Sequence, residues 1–224
     1  ASRSRFTGRI IRLDSSQATA ISDLLRTVPG VRVARNGSIG GVTSVFVRGG
    51  ESSQTLVLID GVRINDPSSP NAAFDFGSLL TGNIDRVEIL RGPNSVVWGS
   101  QAIGGVVNVR TEVPTNDLAA SASAQFGYQG TAEARANVSG TSGPIAGSLG
   151  ASYFRTNGVS ALAAGTERDG YRNFAANGKL AVTLNAALSL DFRAYFTKGR
   201  AEFDDPFGAT PDTFPETRNR QFVG

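Results

Sequence analysis

Three stretches in the second half of the chain alternate apolar and polar residues almost without a break. Over 131–139, Ala132, Ala134, Ala136 and Val138 share one face, while Thr131, Glu133, Arg135, Asn137 and Ser139 take the other. Over 174–185, Phe174, Ala176, Gly178, Leu180, Val182 and Leu184 oppose Asn177, Lys179, Thr183 and Asn185. Leu188, Leu190, Phe192, Ala194 and Phe196 then oppose Ser189, Asp191, Arg193, Tyr195 and Thr197. A period of two belongs to strands, whose successive side chains point to opposite faces. Residues 118–128 and 144–156 read as further strands with looser alternation, which brings the expected number to about five. Such segments run to about ten residues, longer than the five or six usual in soluble sheets. Short turns at 140–143 and at Asn185-Ala186 face one way, and long loops at 157–171 and 199–218 face the other. Aromatics such as Phe126, Tyr128, Phe154 and Phe196 end the apolar faces. This grammar suits a transmembrane β-barrel. A soluble sandwich or meander is the reading that alternation alone leaves open.

Composition removes other classes. Of 224 residues, 40% are hydrophobic and 18% charged, too apolar for a disordered chain. The longest aliphatic run, Leu56-Val57-Leu58-Ile59, is far short of the roughly 20 residues of a membrane helix. Cys and His are both 0, which excludes disulfides, thiolate or imidazole metal sites and His-based relays. No nucleophile–base pair can be assembled from them, so an enzyme is not expected. With 22 cations against 19 anions, the net charge of +3 makes no case for nucleic acid. Met is also 0 and the chain starts at Ala1, which suggests processing or a fragment.

Residues 1–114 follow different rules and read as an α+β domain, with 115–224 as the strand-rich domain. Ile21, Leu24, Leu25 and Val28 lie on one helical face, and Pro29-Gly30 stops the helix. Strands are expected over 31–35, 43–48, 55–60, 84–91 and 103–110. Asn36-Gly37, Gly40-Gly41, Gly49-Gly50 and Asp60-Gly61 punctuate them as turns. The glycines of 92–99 and Gly104-Gly105 are not followed by Gly-Lys-Ser/Thr, and no helix is expected to open there. They read as tight turns, and no nucleotide or redox cofactor is expected.

Five blocks of this first half fall in a recognisable order. They are Ile21-Ser22-Asp23-Leu24-Leu25-Arg26-Thr27-Val28-Pro29-Gly30-Val31, Val45-Phe46-Val47-Arg48-Gly49 and Leu56-Val57-Leu58-Ile59-Asp60-Gly61-Val62-Arg63. Arg86-Val87-Glu88-Ile89-Leu90-Arg91-Gly92-Pro93 and Trp98-Gly99-Ser100-Gln101-Ala102-Ile103-Gly104-Gly105-Val106-Val107-Asn108-Val109 complete the set. Over residues 18–112 the chain resembles the plug domain of TonB-dependent outer-membrane receptors, and within that family the cobalamin receptors most. The resemblance implies an α+β plug followed by antiparallel strands of a transmembrane β-barrel of roughly 22 strands. It implies active import across the bacterial outer membrane, driven by the periplasmic partner TonB. A small-molecule ligand is implied, cobalamin ahead of a ferric siderophore, with outer-membrane lipid around the barrel. The family's TonB box would lie just ahead of Ala1. About five strands cannot close such a barrel, so the remaining strands are expected further along this chain or on another. A plug-bearing subunit of an outer-membrane assembly is the alternative role.

The resemblance also nominates residues. Asn36, Ser44 and Glu51, with Ser69 and Pro70, match positions near substrate in the cobalamin receptors, although Glu51 replaces an amide. Glu167 and Asp169, with Asp204 and Asp212, resemble acids of two calcium-binding extracellular loops, and carboxylates are what Ca²⁺ prefers. Ser160 stands where the family has an acid. Arg48, Arg63, Glu88 and Arg91 are the expected plug–barrel ion pairs.

Overall fold

The computed structural model describes residues 8–12, 19–65, 73–92, 95–160, 168–185, 187–202 and 216–223. The chain divides into two compact units, one of Ala1–Ala34 with Thr43–Thr111, the other of Arg35–Val42 with Glu112–Gly224.

The first unit runs β1 (Arg9–Arg12), α1 (Ile21–Leu25), β2 (Val31–Arg35), β3 (Thr43–Val47), β4 (Thr55–Ile59), β5 (Val62–Arg63), β6 (Ile84–Arg91), α2 (Ser95–Trp98) and β7 (Gly105–Thr111). Five of its strands form a sheet in the order β1-β6-β7-β4-β5, and β2 pairs with β3 separately. Within that sheet β4 and β7 run parallel, Leu56 opposite Val106 and Leu58 opposite Asn108. Every residue of β4 is buried, as a strand covered on both faces requires. Leu56, Leu58, Leu90, Ala102 and Val106 form an apolar cluster against which Trp98 packs. Each such side chain contributes about 1.5–3 kcal/mol by leaving water.

The turn from β4 to β5 has Asp60 at φ 51° and Gly61 at φ 89°, with Ile59 opposite Val62. Two positive φ values are what a two-residue hairpin of matching twist needs, and Asp-Gly supplies them. The Asp60 carboxylate also accepts from Thr111 N at 3.1 Å and Thr111 Oγ1 at 2.6 Å, tying the turn to the end of β7.

Two expectations are corrected here. The helical face reaches Val28, yet α1 ends at Leu25, because Thr27 N and Val28 N bond back only three residues, to Leu24 O and Leu25 O. Pro29 disfavours the α conformation in the residue before it, and the last turn tightens. Conversely, a one-turn helix, α2, does open among the glycines at Ser95–Trp98.

The second unit is a meander of β8 (Ala119–Phe126), β9 (Ala132–Ser142), β10 (Ile145–Thr156), β11 (Tyr171–Thr183), β12 (Ser189–Glu202) and β13 (Glu216–Val223), each antiparallel to the next. Among the described residues six strands are therefore present where about five were expected. The additional strand, together with the extension of β12 to Glu202, occupies both ends of the expected 199–218 loop. A two-residue turn with Gly143 at φ 55° joins β9 to β10. Asn185 Oδ1 accepts from Ala187 N and Leu188 N where β11 turns to β12. Among the described residues no helix is long and apolar enough to cross a membrane.

Candidate functional site

Along β10, β11 and β12 the sheet buries polar residues on one face and exposes apolar residues on the other. On β10, Ser148, Ser152 and Thr156 are buried, whereas Leu149 is 61% exposed and Tyr153 42%. On β11, Asn173 and Asn177 are buried beside exposed Phe174 and Leu180. On β12, Thr197 is buried and Phe192 is 58% exposed. A sheet folded in water would do the opposite, because each exposed apolar side chain forfeits its transfer free energy. The arrangement fits a wall whose outer surface meets lipid and whose inner surface is polar.

Of the nominated ligand residues, Asn36 and Glu51 sit on connections and Ser44 on a strand. Asn36 follows β2 and its N–H donates to Val42 O at 3.0 Å, closing the turn. That connection, Arg35–Val42, belongs to the second unit, where Gly40 lies against the ring of Tyr171. A Cβ at Gly40 would fall 2.1 Å from a ring carbon, and its φ of +89° already favours glycine. Tyr171 is in turn placed by Phe154, with ring centroids 6.1 Å apart, and by Asn173 Nδ2, which donates to its hydroxyl at 2.9 Å. Ser44 is half-buried on β3, between buried Thr43 and Val45. Glu51 is exposed and caps the 3-10 turn Ser52–Gln54, its side chain and that of Gln54 bonding each other's backbone N–H. Ser44 and Glu51 thus share β3 and the turn after it, while Asn36 is grouped apart from them. Ser69 and Pro70 lie outside the described residues.

Among the expected ion-pairing residues, most find partners inside the first unit. Buried Glu88 takes Arg86 Nε at 2.8 Å and Asn108 Nδ2 at 2.8 Å. Arg91 Nη1 donates to Pro29 O at 3.0 Å, and Arg63 donates to Gln101. Arg48 adopts φ 53°, and its guanidinium lies over Gly92. One anchor the sequence reading did not single out is Asp75. Its Oδ1 accepts from Thr43 N at 2.8 Å and Gly77 N at 2.9 Å, pinning the start of β3 to the turn Phe76–Ser78. Burial raises its carboxyl above the ordinary range, and the two backbone bonds oppose that rise.

Residues 11–106 match the TonB-dependent receptor plug domain. The vitamin B12 transporter BtuB of Photobacterium profundum is 32% identical over 207 residues, covering 88% of this chain and 32% of the relative. The chain carries the plug domain of the TonB-dependent receptors. Its fold is that of solved members. The siderophore receptor PirA of Acinetobacter baumannii aligns with a TM-score of 0.67 at 25% identity, over 87% of this chain and 31% of that one. The ferripyoverdine receptor of the Pseudomonas aeruginosa outer membrane aligns with a TM-score of 0.71 at 18% identity, over 88% and 25%. The chain therefore spans between a quarter and a third of the length of these relatives. These matches place it in the bacterial outer membrane, where the lipid-facing apolar wall is at home.

Of the acids nominated for calcium in this receptor, Glu167, Asp204 and Asp212 lie outside the described residues. Asp169 is buried, and the neighbouring Gly170 N–H donates to Glu202 Oε2 at 3.2 Å. Among the described residues no three acids gather as a metal site, so these residues alone do not make the six to eight oxygen ligands of Ca²⁺.

Proposed function

We propose that the receptor of which this chain forms the plug and first wall strands imports cobalamin across the outer membrane. The observation that carries the reading is the 32% identity to a vitamin B12 transporter along 88% of the chain. Ligand sits against the segments bearing Asn36, Ser44 and Glu51, whose amide, hydroxyl and carboxylate complement the amide side chains of a corrinoid. The buried packing of Gly40 against Tyr171 supports a fixed shape for the Asn36 connection. Arg48, Arg63, Glu88 and Arg91 help hold the plug until TonB, pulling from the periplasm, rearranges it. The coupling is mechanical and needs no covalent step. Ca²⁺ in the loops of Glu167, Asp169, Asp204 and Asp212 belongs to the same reading, supported so far by one buried carboxylate, Asp169.

A ferric siderophore is the second candidate, favoured by the likeness to a siderophore receptor at 25% identity. A binding titration of the full-length receptor with cobalamin and with ferric siderophores, with and without Ca²⁺, separates the two. Saturable binding of cobalamin alone is expected, weakened when Asp169→Asn removes a carboxylate. Saturation by an iron chelate alone overturns the cobalamin assignment.

A further inference from the structure

The register of the wall sets four arginines side by side on its outward face. Arg155 of β10 is opposite Arg172 of β11, Arg172 is opposite Arg200 of β12, and Arg200 is opposite Arg218 of β13. With strands about 4.8 Å apart, the row spans about 14 Å. Like charges directly opposite one another destabilise a sheet, so strand pairing gives no reason for the row. Glu216 pairs with Arg200 and Arg218, and Glu202 lies 3.7 Å from Arg200. Among the described residues, Arg155 and Arg172 have no acidic partner. These two, with Arg168, Arg200 and a single acid, Glu202, line a cavity of about 250 Å³.

The row stands at the end of the wall that carries the long connections, which is the extracellular end of such barrels. One pleat repeat toward the short turns come Tyr153, Phe174, Lys198 and Arg220, and beyond them the face turns apolar. Glycines then open a groove. Gly147 is opposite Leu180 and Gly178 opposite Leu149, so neither position fills the space between its neighbours. The groove, about 920 Å³, is lined by Leu149, Leu180, Phe192 and Phe222 among others. Leu149 lies six residues below Arg155, about 20 Å along the strand.

We propose that Arg155, Arg172 and Arg200 form a docking site for the phosphate of an anionic lipid in the outer leaflet, with the end of one of its acyl chains reaching the Gly147–Gly178 groove at Leu149. Guanidinium forks bind phosphate oxygens bidentately, and three from adjacent strands converge on one cavity. Charge selects the headgroup, and the apolar groove below selects a lipid over a free anion or an acidic protein segment. The inference depends on the outer-membrane placement and stands whichever ligand is imported.

The test uses the full-length receptor in a neutral detergent, titrated by native mass spectrometry with dioleoyl phosphatidic acid, dioleoylglycerol and inorganic phosphate. Phosphatidic acid should bind at least tenfold more tightly than dioleoylglycerol, and millimolar inorganic phosphate should not displace it. The double variant Arg155→Gln/Arg172→Gln should lose that preference, whereas Arg155→Lys/Arg172→Lys, which keeps the charge, should retain most of it. Gly178→Leu, which fills the groove, should weaken dioleoyl phosphatidic acid and leave a short-chain dihexanoyl form unaffected. Equal binding by the Gln variant and the parent, or ready displacement by inorganic phosphate, overturns the proposal.

Discussion

Replacing Leu149 by Arg puts a charge on the outward face of β10, where the side chain is 61% exposed. With a rise of about 3.4 Å per residue and a tilt near 40°, a strand climbs about 2.6 Å per residue through the bilayer. Ile145 and Arg155 are ten residues apart on β10, so they differ in height by about 26 Å, close to the roughly 25 Å apolar band of such barrels. Leu149 sits about 10 Å from the Ile145 level and about 16 Å from the Arg155 level, close to the middle of that band. An arginine there costs about 2–4 kcal/mol, whereas at Tyr153, nearer the interface, it costs about 0–1 kcal/mol. In equilibrium terms the first change is a factor of roughly 30 to 1,000. The same substitution on a sheet facing water stays within about 0.5 kcal/mol. Denaturant unfolding and refolding of the full-length receptor in phospholipid vesicles, read by heat-modifiable gel mobility and tryptophan fluorescence, measures the difference. The expected order is parent, then Tyr153→Arg slightly lower, then Leu149→Arg well below both. Coincident curves for Leu149→Arg and Tyr153→Arg would refute the assignment of this face to lipid.

Two further outcomes concern the plug. Asp60→Ala removes the acceptor of two Thr111 bonds and leaves Ala at φ 51°, at a cost of about 2–4 kcal/mol, while Asp60→Asn keeps the turn and costs less. Hydrogen exchange of β4 and β7 amides in the full-length receptor should accelerate for Ala far more than for Asn, and parent-like protection in the Ala variant would count against the tie. Because burial raises the Asp75 carboxyl, the folded plug holds that proton to a higher pH than the unfolded chain does. Its contribution is therefore complete below the ordinary aspartate value near 3.9 and is lost as pH rises through the raised folded value. Asp75→Asn, which can accept the same two N–H groups, should flatten that slope in protection measured at Thr43 and Gly77. Asp75→Ala, which takes the acceptor from both N–H groups, should cost about 1–3 kcal/mol at low pH and less once pH has risen through the folded value.

The wall could be read from its residues because long period-two segments such as Phe174, Ala176, Gly178, Leu180 and Val182 admit one register against two neighbours. β13 escaped for a physical reason. In Glu216–Val223 the outward residues Arg218 and Arg220 are as polar as the residues between them, so alternation carries no contrast. The arginine row is invisible in a linear sequence, since its members lie 17, 28 and 18 residues apart and meet only through pairing. Glu51 is nominated by position, and position alone does not tell that its side chain also caps the turn Ser52–Gln54. Asp75 carried no motif, because its partners are backbone N–H groups up to 32 residues away. The plug core was easier, since β4 is apolar at four successive positions between Thr55 and the Asp60-Gly61 turn.

The place of β1 in its sheet has a mechanical side. It is an edge strand held through four residue pairs to one neighbour, from Arg9 opposite Ile89 to Arg12 opposite Arg86. A load on the backbone ahead of Arg9, directed across the strands, would open those rungs one after another, as a zip does, so the peak force stays near that of a single rung. The interior strands β4, β6 and β7 would keep their mutual bonds throughout. The sheet is thus built to be unpicked from one border while its interior holds.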